Sequence, residues 1–317
     1  MLDEPGGLGL KLPAHLKCAA HTFNLVASVD AKKALESASF KSAYRKFMSK
    51  AQGLWKLQSC GTVAKRKMSD VLKRRLVVPN SNRWNSIYDA VLVLNKLLEE
   101  DRATVHRVMK QLKLQTFTES DVRFLKEYTQ VMSSVVKALG KIQGEDQAYI
   151  GCLLSTVAAT MMRLKEAKLK PLLYCSPLID AILAGLTERF GLLLEDQESQ
   201  LAAAFHPKFR LFWLEQFDNR QVSRVTKAMV SVVQTALGSI GDEGRNEEEE
   251  DDFFSIITRP KESRSKRSLK SRAQSLVQTW LETSSKDVMT DAAFLGERIL
   301  IDLFTKYKHT HPLQCCR

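Results

Sequence analysis

The stretch TESDVRFLKEYTQVMSSVVKALGKI, which runs from Thr118 to Ile142, decides the fold class of this 317-residue chain. Its first four residues resemble a helix-capping box, with Asp121 in place of the usual glutamate, so a helix should begin there. Apolar residues then follow at alternating steps of three and four, at Leu125, Tyr128, Met132, Val135, Leu139 and Ile142. Because this is the spacing of a seam between packed helices, the sequence predicts a long helix inside a helical bundle.

The rest of the chain has the same character. Only 14 glycines and 8 prolines interrupt it, which favours helices with short connections over many strands and turns. Ser176 is the predicted N-cap of one of these helices. Further helices are predicted at 14–37, 39–58, 64–75, from Trp84 onward, and at 146–168, 177–195, 198–205, 219–238 and 289–306. The predicted fold class is mainly α, a multi-helix bundle with little or no β-sheet.

Composition divides the chain into five parts. Residues 1–11 are a predicted disordered N-terminus, and 12–238 a helical body. Residues 239–273 are predicted as a linker, first acidic and then basic, because they cannot bury enough apolar surface to fold alone. A helical tail follows at 274–306, and 307–317 is a predicted unstructured C-terminus. The six cysteines have no disulfide spacing, and no apolar run reaches the ~18 residues of a membrane span, which favours a nuclear or cytoplasmic protein.

Positive charge is concentrated near the start of the sequence. Residues 1–110 contain 20 Lys and Arg against 9 Asp and Glu, so +11 of the net +12 lies there. Such an excess indicates DNA as a partner, because each neutralised phosphate releases counterions. The alternative is a solvated, lysine-rich helix surface. The basic clusters that are candidates for DNA contact are Lys65, Arg66 and Lys67, and Lys73, Arg74 and Arg75.

Two further stretches carry residues that suit a binding site. In CAAHTFNL, Cys18 and His21 share a helix face. A zinc site would need two more ligands, and His15 is the only further candidate ligand on that face. A buried thiol beside a hydrogen-bonded imidazole is the interpretation that the spacing favours. In PNSNRWNS, Arg83 can bind a phosphate and Trp84 can stack on an unpaired base, the alternative being a core tryptophan.

With FHPKFRL at 205–211, these segments resemble the hAT superfamily of transposases, the hobo/Activator type with an N-terminal BED zinc finger. The family shows C-A-x-H-T-L-N-L, then P-x-x-R-W-N-S, then an L-D-P-R-F-K-like segment. Here they stand, in the same order, as CAAHTFNL at 18–25, PNSNRWNS at 79–86 and FHPKFRL. The resemblance covers residues 12–307.

The match departs from the family pattern in small ways. Phe23 stands where the family has leucine, and His206 stands where it has aspartate. Lys208 and Arg210 exchange the two basic positions of the third segment.

The resemblance implies a helical region that, in the family, interrupts an RNase H-like core and helps to hold the transposon ends. Carried over by position, the residues expected nearest to DNA are Cys18, His21, Arg83 and Trp84. The family's core also holds two aspartates and a glutamate, which bind divalent metal for DNA cleavage. Their segments, the BED finger and the dimerisation segment are not found in the sequence. We therefore expect no catalytic residue, no metal and no cofactor.

The last ten residues, KHTHPLQCCR at 308–317, add to this expectation. In the family, a segment like N-T-P-x-P-S-S-A-A-V stands here, ahead of the segment with the catalytic glutamate. Codons that encode KHTHPLQCCR can encode N-T-P-I-P-S-S-A-A-V once a single base is removed. We therefore interpret 308–317 as the product of a one-base frameshift, which should be unpacked and hold no metal.

The sequence thus predicts a catalytically inactive, transposase-derived protein that binds DNA, with no membrane and no small-molecule substrate. One alternative is a helical protein-interaction scaffold whose basic surface has no DNA partner. Another is a translated remnant of a degraded element, without function. The basic cluster at 259–272 indicates nuclear import, the alternative being a solubilising linker.

Overall fold

The structure is a computed structural model that describes residues 18–80, 84–143, 150–242, 261–282 and 298–310. These residues form α-helices, with short 3-10 helices at Asp30–Glu36 and Asn219–Gln221, and contain no strand. The predicted class, a mainly α multi-helix bundle, is confirmed for the described part of the chain. In chain order the helices are α1 Ala19–Ser28, α2 Ala38–Cys60, α3 Thr62–Leu72, α4 Trp84–Gln111, α5 Glu119–Ile142, α6 Ile150–Lys168, α7 Ser176–Glu195, α8 Gln197–Ala204, α9 Phe212–Asp218, α10 Val222–Asp242, α11 Lys261–Glu282 and α12 Arg298–Thr310.

Helix α5 lies at the centre of the N-terminal half and contacts α1, α2, α4 and α6. Its capping box is confirmed, because Thr118 Oγ1 accepts the backbone N–H of Asp121 at 3.3 Å and Asp121 Oδ2 accepts that of Thr118 at 2.7 Å. The predicted seam is buried at all but one position: Tyr128 is half-buried, while Leu125, Met132, Val135, Leu139 and Ile142 are buried.

The predicted continuous helix at 14–37 is wrong where the structure describes it. Helix α1 ends at Ser28, and the chain continues as the 3-10 helix Asp30–Glu36. The carboxylate of Asp30 is held by Arg189 of α7, at 2.6 and 3.0 Å, and Asp30 is 2% exposed. Helical periodicity along one segment does not reveal such a partner, which lies 159 residues away.

Helices α2 and α3 carry most of the early positive charge and contact each other. Gly61 lies between them, with φ −114° and ψ 105°. The predicted helix at 64–75 is too long, because Lys73 adopts a left-handed backbone with φ 52° and ends α3 at Leu72. Only Met68 of α3 is buried. The chain then runs without regular structure from Arg75 to the start of α4 as far as it is described.

Helix α4 begins at Trp84, as predicted, but it is interrupted at Asp101, where φ is −153° and ψ is 79°. The side chain of Asp101 accepts the N–H of Thr104 at 2.9 Å and so caps the second part of the helix. Apolar residues at helical spacing along its first part face inward, with Ile87 half-buried and Tyr88, Val91, Leu94 and Leu98 buried.

The entry into α7 depends on a carboxylate from α5. The side chain of Glu127, which is 7% exposed, accepts the backbone N–H groups of Leu173, Tyr174 and Cys175 at 2.9, 2.8 and 3.0 Å. Cys175 is the N-cap and Ser176 is the first helical residue, so the predicted Ser176 cap is wrong by one position.

The C-terminal helices pack onto the body at Ala204 and Phe205. Trp280 Nε1 of α11 donates to the carbonyl of Ala204 at 3.1 Å, and the ring of Tyr307 stacks on Phe205 with centroids 5.5 Å apart. Tyr307 is buried.

Two predicted boundaries near the C-terminus are therefore wrong. Residues 261–273, predicted as linker, lie in α11, and residues 307–310, predicted as unstructured, lie in α12. Both helices are amphipathic and bury their apolar face on α10 or α8, which composition alone does not show. The predictions for 1–11, 243–260 and 311–317 lie outside the described residues.

Candidate nucleic-acid interface

The N-terminal half of the bundle surrounds a cleft of about 960 Å³. Its walls come from α1, the following 3-10 helix, α2, α4, α5 and the first turn of α7. Among the lining residues are His21 and Asn24 of α1, and Ser86 and Asp89 of α4. The structure thus brings together the segment CAAHTFNL and the end of the segment PNSNRWNS, which are about 60 residues apart in the sequence.

Cys18 is placed as a cap of helix α1. Its Sγ accepts the backbone N–H of His21 at 3.4 Å, and its carbonyl accepts the N–H of Thr22 at 2.9 Å. The prediction of a buried thiol is wrong, because Cys18 is only half-buried. The imidazole of His21 is exposed at the cleft. In the described part of the chain, no group of three or more His, Cys, Asp or Glu is arranged to hold a metal ion.

Helix α4 begins at the tryptophan of the Arg-Trp pair. Arg83 is outside the described residues, and Trp84 is the first residue of the helix. In the first turn of α4, Ser86 bonds back to Asn80: its Oγ accepts the N–H of Asn80 at 2.8 Å and donates to the Asn80 carbonyl at 2.8 Å. Since Ser86 also lines the cleft, these bonds hold the first turn of α4 to Asn80 at the cleft.

Two tyrosines form part of the cleft wall. The rings of Tyr44 and Tyr128 lie 6.3 Å apart, and both are half-buried. Burial raises the pKa of Tyr44; burial, and then the neighbouring Tyr44, raise the pKa of Tyr128. Both hydroxyls therefore stay protonated at neutral pH and can donate hydrogen bonds, beside Lys32 and His21 on the same cleft.

We call residues 38–75 the basic arm; it comprises α2, α3 and the residues that follow to Arg75. It contains eleven Lys and Arg and a single acidic residue, Asp70. Ten of the cations are exposed, namely Lys41, Arg45, Lys46, Lys56, Lys65, Arg66, Lys67, Lys73, Arg74 and Arg75. All six basic residues that the sequence nominated are thus on the surface.

Acidic partners compensate little of this charge. Lys50, the eleventh cation, pairs with the buried Asp121 at 2.5 Å. Arg74 pairs with Glu100 at 3.2 Å, and both side chains are more than half exposed, so the pair is weak. The other nine exposed cations form no ion pair with a described residue, which leaves the arm with a positive surface potential.

Four exposed cations of the basic arm were missed by the sequence reasoning: Lys41, Arg45, Lys46 and Lys56. They lie on α2, the helix that also sends Phe40 and Tyr44 into the cleft. The signal that could have found them is the absence of any acidic residue from 38 to 69, combined with the helical spacing of the cations.

The third segment of the resemblance, at 205–211, has a packing role in the structure. Phe205 is fully buried, and the guanidinium of Arg210 lies 5.2 Å from the ring centre of Trp280. Burial lowers the pKa of His206 to about 4. The residues that line the cleft do not include this segment.

Across the described helices, none is both long and apolar enough to cross a membrane.

Neither a family model, nor a curated protein, nor a solved structure matches this chain.

Proposed function

We propose that this protein derives from an hAT-type transposase, binds DNA through the basic arm, and does not cut it. The observation that carries the DNA-binding proposal is the nine exposed cations of the arm that form no ion pair with a described residue. The resemblance of the three sequence segments supports the transposase origin.

The expected binding is electrostatic and depends little on base sequence. Lys and Arg that contact phosphates release condensed counterions, and each such contact steepens the fall of log K with log salt by about 0.9. Cations spread along two contacting helices can follow a phosphate backbone, which positions a protein without reading bases.

The cleft adds a second contact in this proposal. The first turn of α4 lies at the cleft, where Ser86 is a lining residue, and the resemblance implies that Arg83 and Trp84 contact DNA. Arg83 would bind a phosphate and Trp84 would stack on an unpaired base, a contact worth ~1–3 kcal/mol. Structured DNA with a hairpin or a frayed end should therefore bind more tightly than a blunt duplex of the same length.

Fluorescence anisotropy with labelled duplex and hairpin DNA, measured from 50 to 300 mM salt, tests the proposal. We expect a linear fall of log K against log salt with a slope steeper than about −3, as several phosphate contacts require. Binding that is undetectable at the lowest salt would instead favour the alternative, a helical interaction scaffold without a DNA partner.

A nuclease assay tests the second half of the proposal. The same DNA is incubated with the protein and Mg²⁺ or Mn²⁺, the ions that a carboxylate-based transposase centre uses. We expect intact DNA after incubation at saturating protein. Strand cleavage that survives repurification of the protein would contradict the non-catalytic assignment. The proposal also places the protein in the nucleus, where DNA is available to it.

A further inference from the structure

Four serines of this chain have an arginine three residues before them: Ser69, Ser86, Ser223 and Ser275. Only Ser69 also has a basic residue two positions before it, Lys67. Basophilic protein kinases recognise such a pair of cations through acidic pockets, since a carboxylate binds arginine strongly and with defined geometry. The sequence around Ser69 is therefore the best match in the chain to this charge pattern.

The helix that contains Ser69 contacts α2 and α4 but buries little of its own surface. Met68 is its only buried residue, and the N-cap, Gly61, offers no side-chain hydrogen bond. The first turn contains no acidic residue, and the helix ends on Lys73 in a left-handed conformation. A helix without an N-terminal side-chain cap and with one buried residue opens locally at low cost, and a kinase needs its substrate segment extended.

Ser69 itself is half-buried, but the other three serines lie in segments that open less readily. The hydroxyl of Ser86 is bonded to both backbone groups of Asn80. Ser223 and Ser275 lie on α10 and α11, which pack against each other and bury residues such as Met229 and Trp280. Opening either helix exposes much more apolar surface than opening α3 does, although both serines are exposed in the folded state.

We propose that Ser69 is a phosphorylation site for a basophilic serine/threonine kinase, and that its phosphate weakens DNA binding by the basic arm. In the reaction, the Ser69 hydroxyl oxygen attacks the γ-phosphorus of Mg-ATP, and the bond from that phosphorus to ADP breaks. The hydroxyl proton passes to the kinase's base, and ADP leaves. The regulatory half rests on the proposed DNA-binding function, whereas the modification itself does not.

The phosphate acts on the arm through charge. On α3, Ser69 lies four residues after Lys65 and three after Arg66, so a phosphate there adjoins both cations. A phosphoserine carries about −1.5 to −2 charges at pH 7, which offsets two cations of the arm. The loss of two phosphate contacts lowers the salt slope by about 2 and weakens binding on the order of ten- to a hundredfold at 0.1 M salt.

The test uses the full-length protein with the catalytic subunit of a basophilic kinase and Mg-ATP, followed by site mapping with mass spectrometry. We expect Ser69 to be modified first and to near completion, and Ser223 and Ser275 much more slowly. Lys67→Ala should slow the modification of Ser69, because the second cation is lost. Equal incorporation into the unaltered protein and into Ser69→Ala would overturn the assignment of the site.

The phosphorylated and unphosphorylated proteins are then compared in the salt series with the same DNA. We expect the phosphorylated form to bind more weakly and with the shallower slope, and kinase-treated Ser69→Ala to match its untreated form. Equal affinity and slope of the two forms would overturn the regulatory half. If neither form binds DNA, the proposed function fails, and incorporation at Ser69 alone decides the modification site.

Discussion

Asp30 and Arg189, which lie 159 residues apart in the sequence, form a two-point ion pair with distances of 2.6 and 3.0 Å. The pair joins the 3-10 helix after α1 to α7, and Asp30 is almost fully buried. Gly185 makes room for it, since a Cβ at that position would lie 2.6 Å from Asp30 Oδ2. This contact fixes one wall of the cleft to the helix behind it.

Loss of Arg189 should destabilise the protein strongly. Arg189→Ala leaves the Asp30 carboxylate buried without its partner, which costs about 3–5 kcal/mol of unfolding free energy. The double variant Asp30→Ala/Arg189→Ala should cost less than the sum of the single variants, because the unpaired charge is then removed too. Urea unfolding monitored by circular dichroism measures all of these values.

A neighbouring pair supplies the control. Lys33 and Glu188 join the same two helices at 3.5 Å, but their side chains are 51% and 68% exposed. Lys33→Ala should change the unfolding free energy by less than about 1 kcal/mol. Equal effects of Lys33→Ala and Arg189→Ala would show that the buried pair has no special role.

Ser86→Ala should weaken binding to hairpin DNA more than it weakens the fold. The change removes both hydrogen bonds between Ser86 and Asn80 and so releases the first turn of α4 from Asn80, at a stability cost of about 1 kcal/mol. Anisotropy with hairpin and duplex DNA should show a loss of affinity confined to the hairpin. Ser133→Ala is a matched control, since that hydroxyl donates to a carbonyl of its own helix, Gln130. Equal affinities of the two variants for the hairpin would remove the turn from the interface.

The stability of the C-terminal packing should depend on His206. The imidazole of His206 lies between the rings of Phe209, 4.3 Å away, and Phe304, 5.3 Å away. This burial, together with the charges of Lys208 and Lys308, holds its pKa at about 4, below the usual value of about 6.5. The unfolded chain therefore binds this proton more readily, so the neutral imidazole contributes stability above pH 6.5 that is lost as the pH falls to 4. The contribution is ~3 kcal/mol.

Urea unfolding of the unaltered protein and of His206→Gln, at pH 7 and pH 4.5, measures this contribution. His206→Gln has no titrating group, so it should lose less stability between the two pH values than the unaltered protein does. The same loss in both proteins would mean that His206 keeps its ordinary pKa in the folded state.

The proposed nuclear location should depend on the basic residues at the start of α11. Substitution of Lys266, Arg267 and Lys270 by glutamine should shift a tagged protein from the nucleus toward the cytoplasm. Fluorescence microscopy of the nuclear and cytoplasmic signal measures the shift. Circular dichroism of the same variant checks that the helices remain.

The matched control variant changes three cations on α5 and α6 to glutamine. They are Lys137, Lys141 and Arg163, which are exposed and form no ion pair with a described residue. This control variant should stay nuclear. If both variants give the same nuclear signal, the basic residues of α11 do not direct import, and the solubilising role is the one that remains.

The fold was predictable from the sequence where one segment contains its own signal. The capping box and the three-and-four spacing fixed α5, because its N-terminal hydrogen bonds and its buried face involve residues close in sequence. The break after Ser28 was not predictable, because it depends on Arg189. The packing of Tyr307 on Phe205 was missed for the same reason, because the two residues are far apart in the sequence and meet only in the folded chain.

The candidate site was also predictable only in part. The exposed cations of α2 and α3 follow from charge and helical spacing, and the sequence reasoning found the denser cluster but passed over Lys41 and Lys56. The cleft could not be foreseen, since its walls come from six helical segments that meet only in the folded chain. The role of Cys18 as an N-cap was also hidden, because cysteine is an uncommon cap.

The salt dependence of DNA binding by two charge variants tests the central claim most directly. Lys65→Gln/Arg66→Gln/Lys67→Gln removes three cations of the basic arm, and the control variant removes three from α5 and α6. If the arm contacts phosphates, the slope of log K against log salt should become shallower by about 2–3 in the arm variant and stay unchanged in the control variant. Equal slopes for both variants and the unaltered protein would contradict binding through the basic arm.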